Sequence, residues 1–409
     1  MIPTRQNGMP HRNMTRPTVA HLLPSYNPFP PVYPAGTELR VEQVALRQQR
    51  YRPVIVCGAF AGQNLIETEK GMEIRRIRMG RIYRRLFQKI LDWDPWPYTT
   101  RMWEIIQNEQ AAILHIHNEP KLLAALAKHI GKKPVPVVMH VANEKPLPQP
   151  SIPLVGHWVA CSQYIKKWLT EGHRIDPERV GVIYTGVDVN ERLPWWEIPP
   201  AKRMALRRSR GVLEENAVVI LFAGRLVREK GVSEIMDAFR ILRAQSNKPL
   251  YLLVAGNVRE SQDPRNEKAV YGKAITQRIV HEEGVQWVGS LAPRDMHEFL
   301  ISGNIFVLPS IWPDPFPTVM LEAAAAGLPI LGSARGGIGE FLEGCPGVPM
   351  IPEPERPELW VEQLRPLIGD GPLRLKAGQW LRDKVVHSFG WGRVTQEIED
   401  LYDGIIGRA

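Results

Sequence analysis

The chain has 409 residues, too many for one ordinary domain and suited to two of about 150–200 residues each. Its 52 Lys and Arg against 43 Asp and Glu leave a net charge of +9, yet 23% of residues are charged and 44% hydrophobic, which excludes a disordered polyelectrolyte and supports buried cores. Three widely spaced cysteines (Cys57, Cys161, Cys345) without CxxC pairing exclude a disulfide framework or zinc ribbon, and no apolar run reaches the roughly 18–20 residues of a membrane span.

Residues 1–16 are polar, lack the apolar core of a signal peptide, and are expected to be mobile. From Pro17 the runs PTVAHLLP, PVIVCG, AAILHIH, PVPVVMH, GHWVACS and GVIYTG are near-continuously apolar, as strands of a parallel sheet covered on both faces would be. Thr37 to Gln49 and Gln163 to Glu171 read as crossover helices, the second capped by Ser162. An α/β domain follows, with an α+β domain carrying a mixed sheet as the alternative. Between Arg75 and Lys89 the stretch RRIRMGRIYRRLFQK holds seven basic residues and no acid. Interleaved with Ile77, Met79, Ile82, Tyr83, Leu86 and Phe87, it reads as an amphipathic face for an anionic membrane, or as a solvated helix whose arginines pair with acids elsewhere.

In LHIHNEP, His115 and His117 share one face of a strand, but a metal needs a third and fourth ligand and the spacing supplies none, so no metal is expected. Around 191–210 prolines, two tryptophans and clustered arginines mark an interdomain linker with a helix. Near Ala217 the rhythm restarts with AVVILFAG, PLYLLVAG, VQWVG, NIFVLPS and LPILGS, the strands of a second α/β domain. Past Arg356 the pattern is helical, with Gly390 and Gly392 bracketing a helix break.

Two segments carry chemistry. In LFAGRLVREKGVSEIMDAF a strand ends at Ala223, Gly224 turns, Arg225 is exposed, and Lys230 and Gly231 open a helix. Two cations and free helix N–H groups thus converge at a strand's C-terminal edge, which suits a diphosphate; a solvated basic loop is the plainer alternative. In PSIWPDPFPTVMLEAAAAGLPILGSARGGIGEFL, Asp314 lies in a loop and Glu322, eight positions on, lies on a helix bounded by Pro317 and Gly327. Carboxylates so placed suit the diols of a sugar and a ribose; the alternative is a loop Asp and an interior Glu paired to an arginine.

Together, GRL, EKG, VAG, WVG, the acid pair before EAAAAGLPIL, and ARGGIGE resemble the nucleotide-sugar-binding domain of family 4 glycosyltransferases, the retaining group with the GT-B fold. The resemblance is specific over about Leu221 to Leu342 and looser before it. It implies that Arg225 and Lys230 hold the donor diphosphate, that Glu322 binds ribose, that Asp314 faces the donor sugar, that Val288 and Gly289 lie beside the base, and that Gly224 and Phe316 are also donor-binding. Asp314 stands where the family usually has Glu, and Pro317 where Gly is common. In the first half, YTGVDV and SQYIKKWL resemble the end of the acceptor domain, Gly36 matches one of a paired-glycine loop near the donor phosphates, and His140, at a strand's C-terminal edge, matches a histidine near the transferred sugar.

The resemblance implies two Rossmann-like domains facing across a cleft: an acceptor domain over 17–192, completed by about 388–409, and a donor domain over 193–387. The last helix crosses back to the first domain. The activity implied is retaining transfer from a nucleotide-diphosphate sugar to a hydroxyl of a glycan or lipid-linked acceptor in bacterial-type polysaccharide, lipopolysaccharide or glycolipid assembly. No metal or other cofactor is expected, and His140, Asp314, Arg225 and Lys230 form the reacting centre. Localisation is expected in the cytoplasm, peripheral on the membrane's inner face. A nucleotide-sugar epimerase and a non-catalytic sugar- or nucleotide-binding protein are the alternatives. A nucleic-acid partner is not expected, since no basic stripe with stacking aromatics forms a reader motif.

Overall fold

A computed structural model describes residues 16–31, 36–80, 82, 96–258 and 265–407. Eight strands form the first sheet: β1 (Thr18–Leu22), β2 (Arg52–Gly58), β3 (Ile66–Glu69), β4 (Met72–Ile77), β5 (Ile113–His117), β6 (Val137–Val141), β7 (His157–Ala160) and β8 (Val180–Val182). Their order is β3-β4-β2-β1-β5-β6-β7-β8, all parallel except β3, which runs antiparallel to β4. β1, β5 and β6 are buried along their whole length, as their unbroken apolar runs require.

The edge hairpin β3–β4 differs from the purely parallel sheet read from the sequence. β3 alternates between exposed and half-buried positions and most of β4 between buried and half-buried ones, and Lys70 and Gly71, both at positive φ (50° and 83°), make the tight turn that joins them. Arg75 and Arg76 therefore lie on a strand and not on a basic helical face. Arg75 pairs with Glu73 and Glu109 at 2.5 and 2.7 Å, while buried Arg76 donates to the Phe29 carbonyl at 2.9 Å and to Glu67. Of the remaining basic run, Arg81 and 83–89 lie outside the described residues, as do 1–15.

The second sheet holds β9 (Val218–Ala223), β10 (Leu250–Ala255), β11 (Val285–Gly289), β12 (Ile305–Leu308) and β13 (Ile330–Gly332), all parallel, in the order β11-β10-β9-β12-β13. Chain direction across the sheet reverses between β9 and β12, so the loops leaving these two strands part and open a crevice at their C-terminal ends. Arg225 follows β9 and Asp314 follows β12. In the first sheet the reversal falls between β1 and β5, and His117 and His140 end β5 and nearly end β6.

The chain then returns to its first domain. Val187 N–H donates to the Phe389 carbonyl at 2.9 Å, and the helix Trp391–Ile406 lays Trp391, Val394, Ile398 and Tyr402 against Val19, Ile113, Val138 and Val159 of the first sheet. Gly186 permits this approach, because a Cβ there would stand 2.6 Å from the Trp391 ring. Arg50 ties the helix down through Glu399, Asp400 and Asp403. Across the cleft, the Glu340 carboxylate accepts from the Gln163 and Tyr164 N–H groups at 2.8 and 2.6 Å and from the Tyr184 hydroxyl at 3.1 Å. A negative charge on the free amides of a helix start is a favourable contact, and here it links the two domains.

Candidate active site

The site is built at the edge of the second sheet. Gly224 N–H continues the ladder to the Ala255 carbonyl at 3.0 Å, leaving Arg225 exposed beyond the strand end. A short turn, Arg228–Lys230, leads to Gly231 at φ 68° and into the helix Val232–Gln245. Only glycine fits there: a Cβ would lie 1.8 Å from the Pro309 carbonyl oxygen, besides the strained φ. That close approach brings the loop after β12 against the turn, where Ile311 and Trp312 N–H groups donate to the Glu229 carbonyl at 3.1 and 3.3 Å. Gly336 and Gly337 close in from the other side, and Gly337 N–H donates to the Asp314 carbonyl at 2.8 Å.

Asp314 is thereby fixed, buried, with its carboxylate ion-paired to the Lys230 ammonium. Around the pair lies a cavity of about 310 Å³. Its second-domain wall carries Arg225, Lys230, Lys268 and Trp312, and its first-domain wall is the loop Asn143, Glu144, Lys145 beyond β6. Lys268 is paired with Glu229 at 2.7 Å, whereas Arg225 has no ion pair among the described residues. The Lys268 side chain and Arg225 both hold the Glu229 carboxyl below its usual range, against the opposing effect of burial.

Other residues singled out from the sequence lie elsewhere. Glu322, on the helix Thr318–Ala325, pairs with Arg192 of the linker at 3.0 Å and does not line the 310 Å³ cavity. This is the alternative of an interior glutamate matched to an arginine; burial raises its carboxyl pKa and Arg192 partly offsets the rise. Phe316 packs on Tyr184 (ring centroids 4.9 Å apart) and Phe389 (6.0 Å), among aromatics that join the two domains. Val288 and Gly289 end the edge strand β11 beside half-exposed Trp287, whose Nε1 donates to the Gly256 carbonyl at 2.9 Å. Gly36 opens the helix Gly36–Ala45, and the four residues before it are outside the described set.

His140 is buried, and neither ring nitrogen has a partner among the described residues. Burial holds its pKa well below the ordinary value, and the nearby Arg40 guanidinium adds to that. Beside it lies a cluster that no spacing announced. Register sets His21 of β1 against His115 and His117 against His140, so four imidazoles share one sheet face. His21 Nδ1 and His117 Nε2 are 3.0 Å apart, His21 Nε2 meets Gln48 Oε1 at 2.9 Å, and His115 Nδ1 meets the Tyr402 hydroxyl at 2.5 Å. Since an amide oxygen only accepts, His21 carries its proton on Nε2 and accepts at Nδ1 from His117. His21 is the third histidine that the sequence spacing lacked, and ring nitrogens of His21, His115 and His117 lie within 4.8 Å of one another. His21 and His117 are nevertheless hydrogen-bonded to each other and His115 to Tyr402, burial holds the pKa values of all three down, and an added divalent cation would stand near Arg40, which adds to the depression at His115 and His117.

Comparison with known proteins accords with this geometry. The family model for glycosyl transferases group 1 matches residues 206–382, and that for glycosyltransferase family 4 matches 43–191. The chain is 28% identical over 382 residues to a lipopolysaccharide 1,2-N-acetylglucosaminetransferase of Salmonella typhimurium, covering 91% of this chain and 94% of the relative. Anabaena HepE, solved in complex with UDP and glucose, superposes with a TM-score of 0.73 at 19% identity over 94% of this chain and 99% of that one. WaaG, a glycosyltransferase involved in lipopolysaccharide biosynthesis, superposes with a TM-score of 0.65 at 17% identity over 94% and 99%. The fold is GT-B.

Proposed function

This chain belongs to the family 4 glycosyltransferases, and on that premise we propose that it moves a sugar from a nucleotide diphosphate to an acceptor hydroxyl with retention, without a metal, in the assembly of lipopolysaccharide or a related surface polysaccharide or glycolipid. The observation that carries the reading is the cavity in which Arg225 and Lys230, at a strand end and a helix start, stand with Asp314 against a wall from the other domain. The diphosphate takes the place of the Asp314 carboxylate on Lys230 and gains Arg225, and Asp314 turns to the sugar hydroxyls. The bond from the anomeric carbon to the phosphate oxygen breaks as the acceptor oxygen bonds on the same face, and the acceptor proton passes to the departing phosphate oxygen. The cations stabilise the charge that develops there, which is the work a metal would otherwise do. His140 lies near the reacting centre in this reading.

Thermal-shift screening of UDP-, GDP- and ADP-sugars tests it, since a ligand bound only by the folded state raises the melting temperature. No shift with any, and no donor consumption, would refute the reading. Glu322→Gln is expected to raise donor KM whichever sugar is carried, because in this reading the native carboxylate leaves Arg192 to bind the ribose, whereas Asp314→Asn is expected to act sugar by sugar. Equal effects of both across a donor panel would refute that division. His140→Ala is expected to lower kcat more than donor affinity, and an unchanged kcat removes it from the centre.

We also propose that the enzyme works in the cytoplasm, peripheral to the membrane's inner face. Among the described residues no helix is long and apolar enough to cross a membrane. With Arg75 and Arg76 paired internally, Arg78 is the exposed cation of the basic run among the described residues. Cosedimentation with anionic but not neutral vesicles, reversed by salt and weakened by serine at Arg81, Arg84 and Arg85, is expected. Equal partitioning to both vesicle types argues for a soluble acceptor.

A further inference from the structure

Behind the first-domain wall of the cavity lies a cluster that the donor motifs leave unused. Lys145 lines the cavity, and its ammonium donates to the Asn118 carbonyl at 2.8 Å and to Glu119 Oε2 at 2.9 Å. The same oxygen accepts from the Tyr26 hydroxyl at 2.6 Å. Glu119 is buried at 6% exposure, whereas Tyr26 is exposed. The cluster is rigidly carried: Asn118 adopts φ 51°, its N–H donates to the His140 carbonyl at 2.8 Å, and its side-chain oxygen accepts from Ala142 N–H at 3.0 Å. The loops leaving β5 and β6 are thus fastened together directly beside His140.

We propose that Lys145 and Glu119 form a subsite for a neutral hydroxyl of a sugar acceptor, next to the hydroxyl that attacks; this rests on the transferase reading above. The charge balance selects the ligand. An ammonium in contact with a carboxylate offers a donor and an acceptor side by side with little net charge, and a hydroxyl is both donor and acceptor. An anion would meet the Glu119 and Glu144 carboxylates, and Arg225, which has no ion pair among the described residues, stands on the other domain. Two of the three Lys145 hydrogens are held by Asn118 and Glu119, which aims the ammonium and leaves one hydrogen for a ligand. Lys145 and Glu119 therefore bind and orient the acceptor; neither is needed as a base, because the leaving phosphate takes the proton.

The test separates acceptor from donor. Binding of methyl α-D-glucopyranoside is followed by saturation-transfer NMR in the presence of the nucleoside diphosphate that gives the largest thermal shift. Lys145→Ala and Glu119→Gln are each expected to weaken the glycoside by about tenfold or more, the scale for a hydrogen bond to a charged group. Both are expected to keep the diphosphate thermal shift, which also reports an intact fold. The proposal is overturned by unchanged glycoside affinity, by loss of the diphosphate shift in the variants, by wild-type protein that binds diphosphate but no glycoside, or by tighter binding of glucose 6-phosphate than of the neutral glycoside. Absence of any diphosphate shift in the wild-type protein instead removes the transferase reading, and this subsite with it.

Discussion

Arg225→Ala is expected to slow sugar transfer by roughly 10²-fold or more, the scale for deleting one preorganised stabiliser of a developing charge. Arg225 suits this experiment because it is exposed, makes no ion pair among the described residues, and leaves no buried partner behind when removed. Lys230→Ala is expected to lose as much rate but with a second consequence. Asp314 is 8% exposed and its carboxylate faces Lys230, so removing the lysine leaves a buried charge without its cation. Breaking such a pair from one side costs more than the pair is worth. The double variant Lys230→Ala with Asp314→Asn is therefore expected to recover melting temperature without recovering rate. Wild-type turnover of Arg225→Ala and Lys230→Ala at subsaturating donor would sink the diphosphate assignment.

The second sheet was legible in sequence because each of its strands is an apolar run closed by Gly, Pro or Ser, and the basic turn after β9 because Gly224, Arg225, Lys230 and Gly231 follow that strand directly. What stayed hidden has a common cause, which is that it depends on partners distant in sequence. The hairpin β3–β4 lies at an edge, alternates, and carries Arg75 and Arg76, whose charges are satisfied by Glu109 and Glu67. A local count of basic residues reads these as surface. Glu322 keeps its helical position, but its partner Arg192 is 130 residues away. Lys145 and Glu119 meet only because β5 and β6 are neighbours, and His21 joins His115 only because β1 pairs with β5. Lys268 follows no motif, and Glu340, although it closes ARGGIGE, acts through a contact with the first domain that its motif does not announce.

The histidine face yields the last expected result, a loss of stability in mildly acidic solution. Burial lowers the His21 pKa from 6.5 to about 4, only partly opposed by the hydrogen bond to Gln48, and holds His115, His117 and His140 well below 6.5 as well. An unfolded chain takes up these protons near pH 6.5, while the folded chain refuses them until far lower pH. Between those values the unfolded state binds more protons, so stability rises with pH and falls as pH drops from about 6.5 toward 4. One pKa unit corresponds to about 1.4 kcal/mol, so His21 alone accounts for about 3 kcal/mol across the whole window, with the other three acting in the same direction. Carboxylates at their ordinary pKa values of about 4 titrate below this range, which makes pH 6.5 to 5 the diagnostic interval. Urea midpoints are expected to fall steeply over it, and His21→Gln, which cannot take up a proton, is expected to flatten the fall by about one proton's worth of slope. Midpoints that stay level from pH 7 to 5 would mean that the four imidazoles can be charged inside the fold, contrary to their burial.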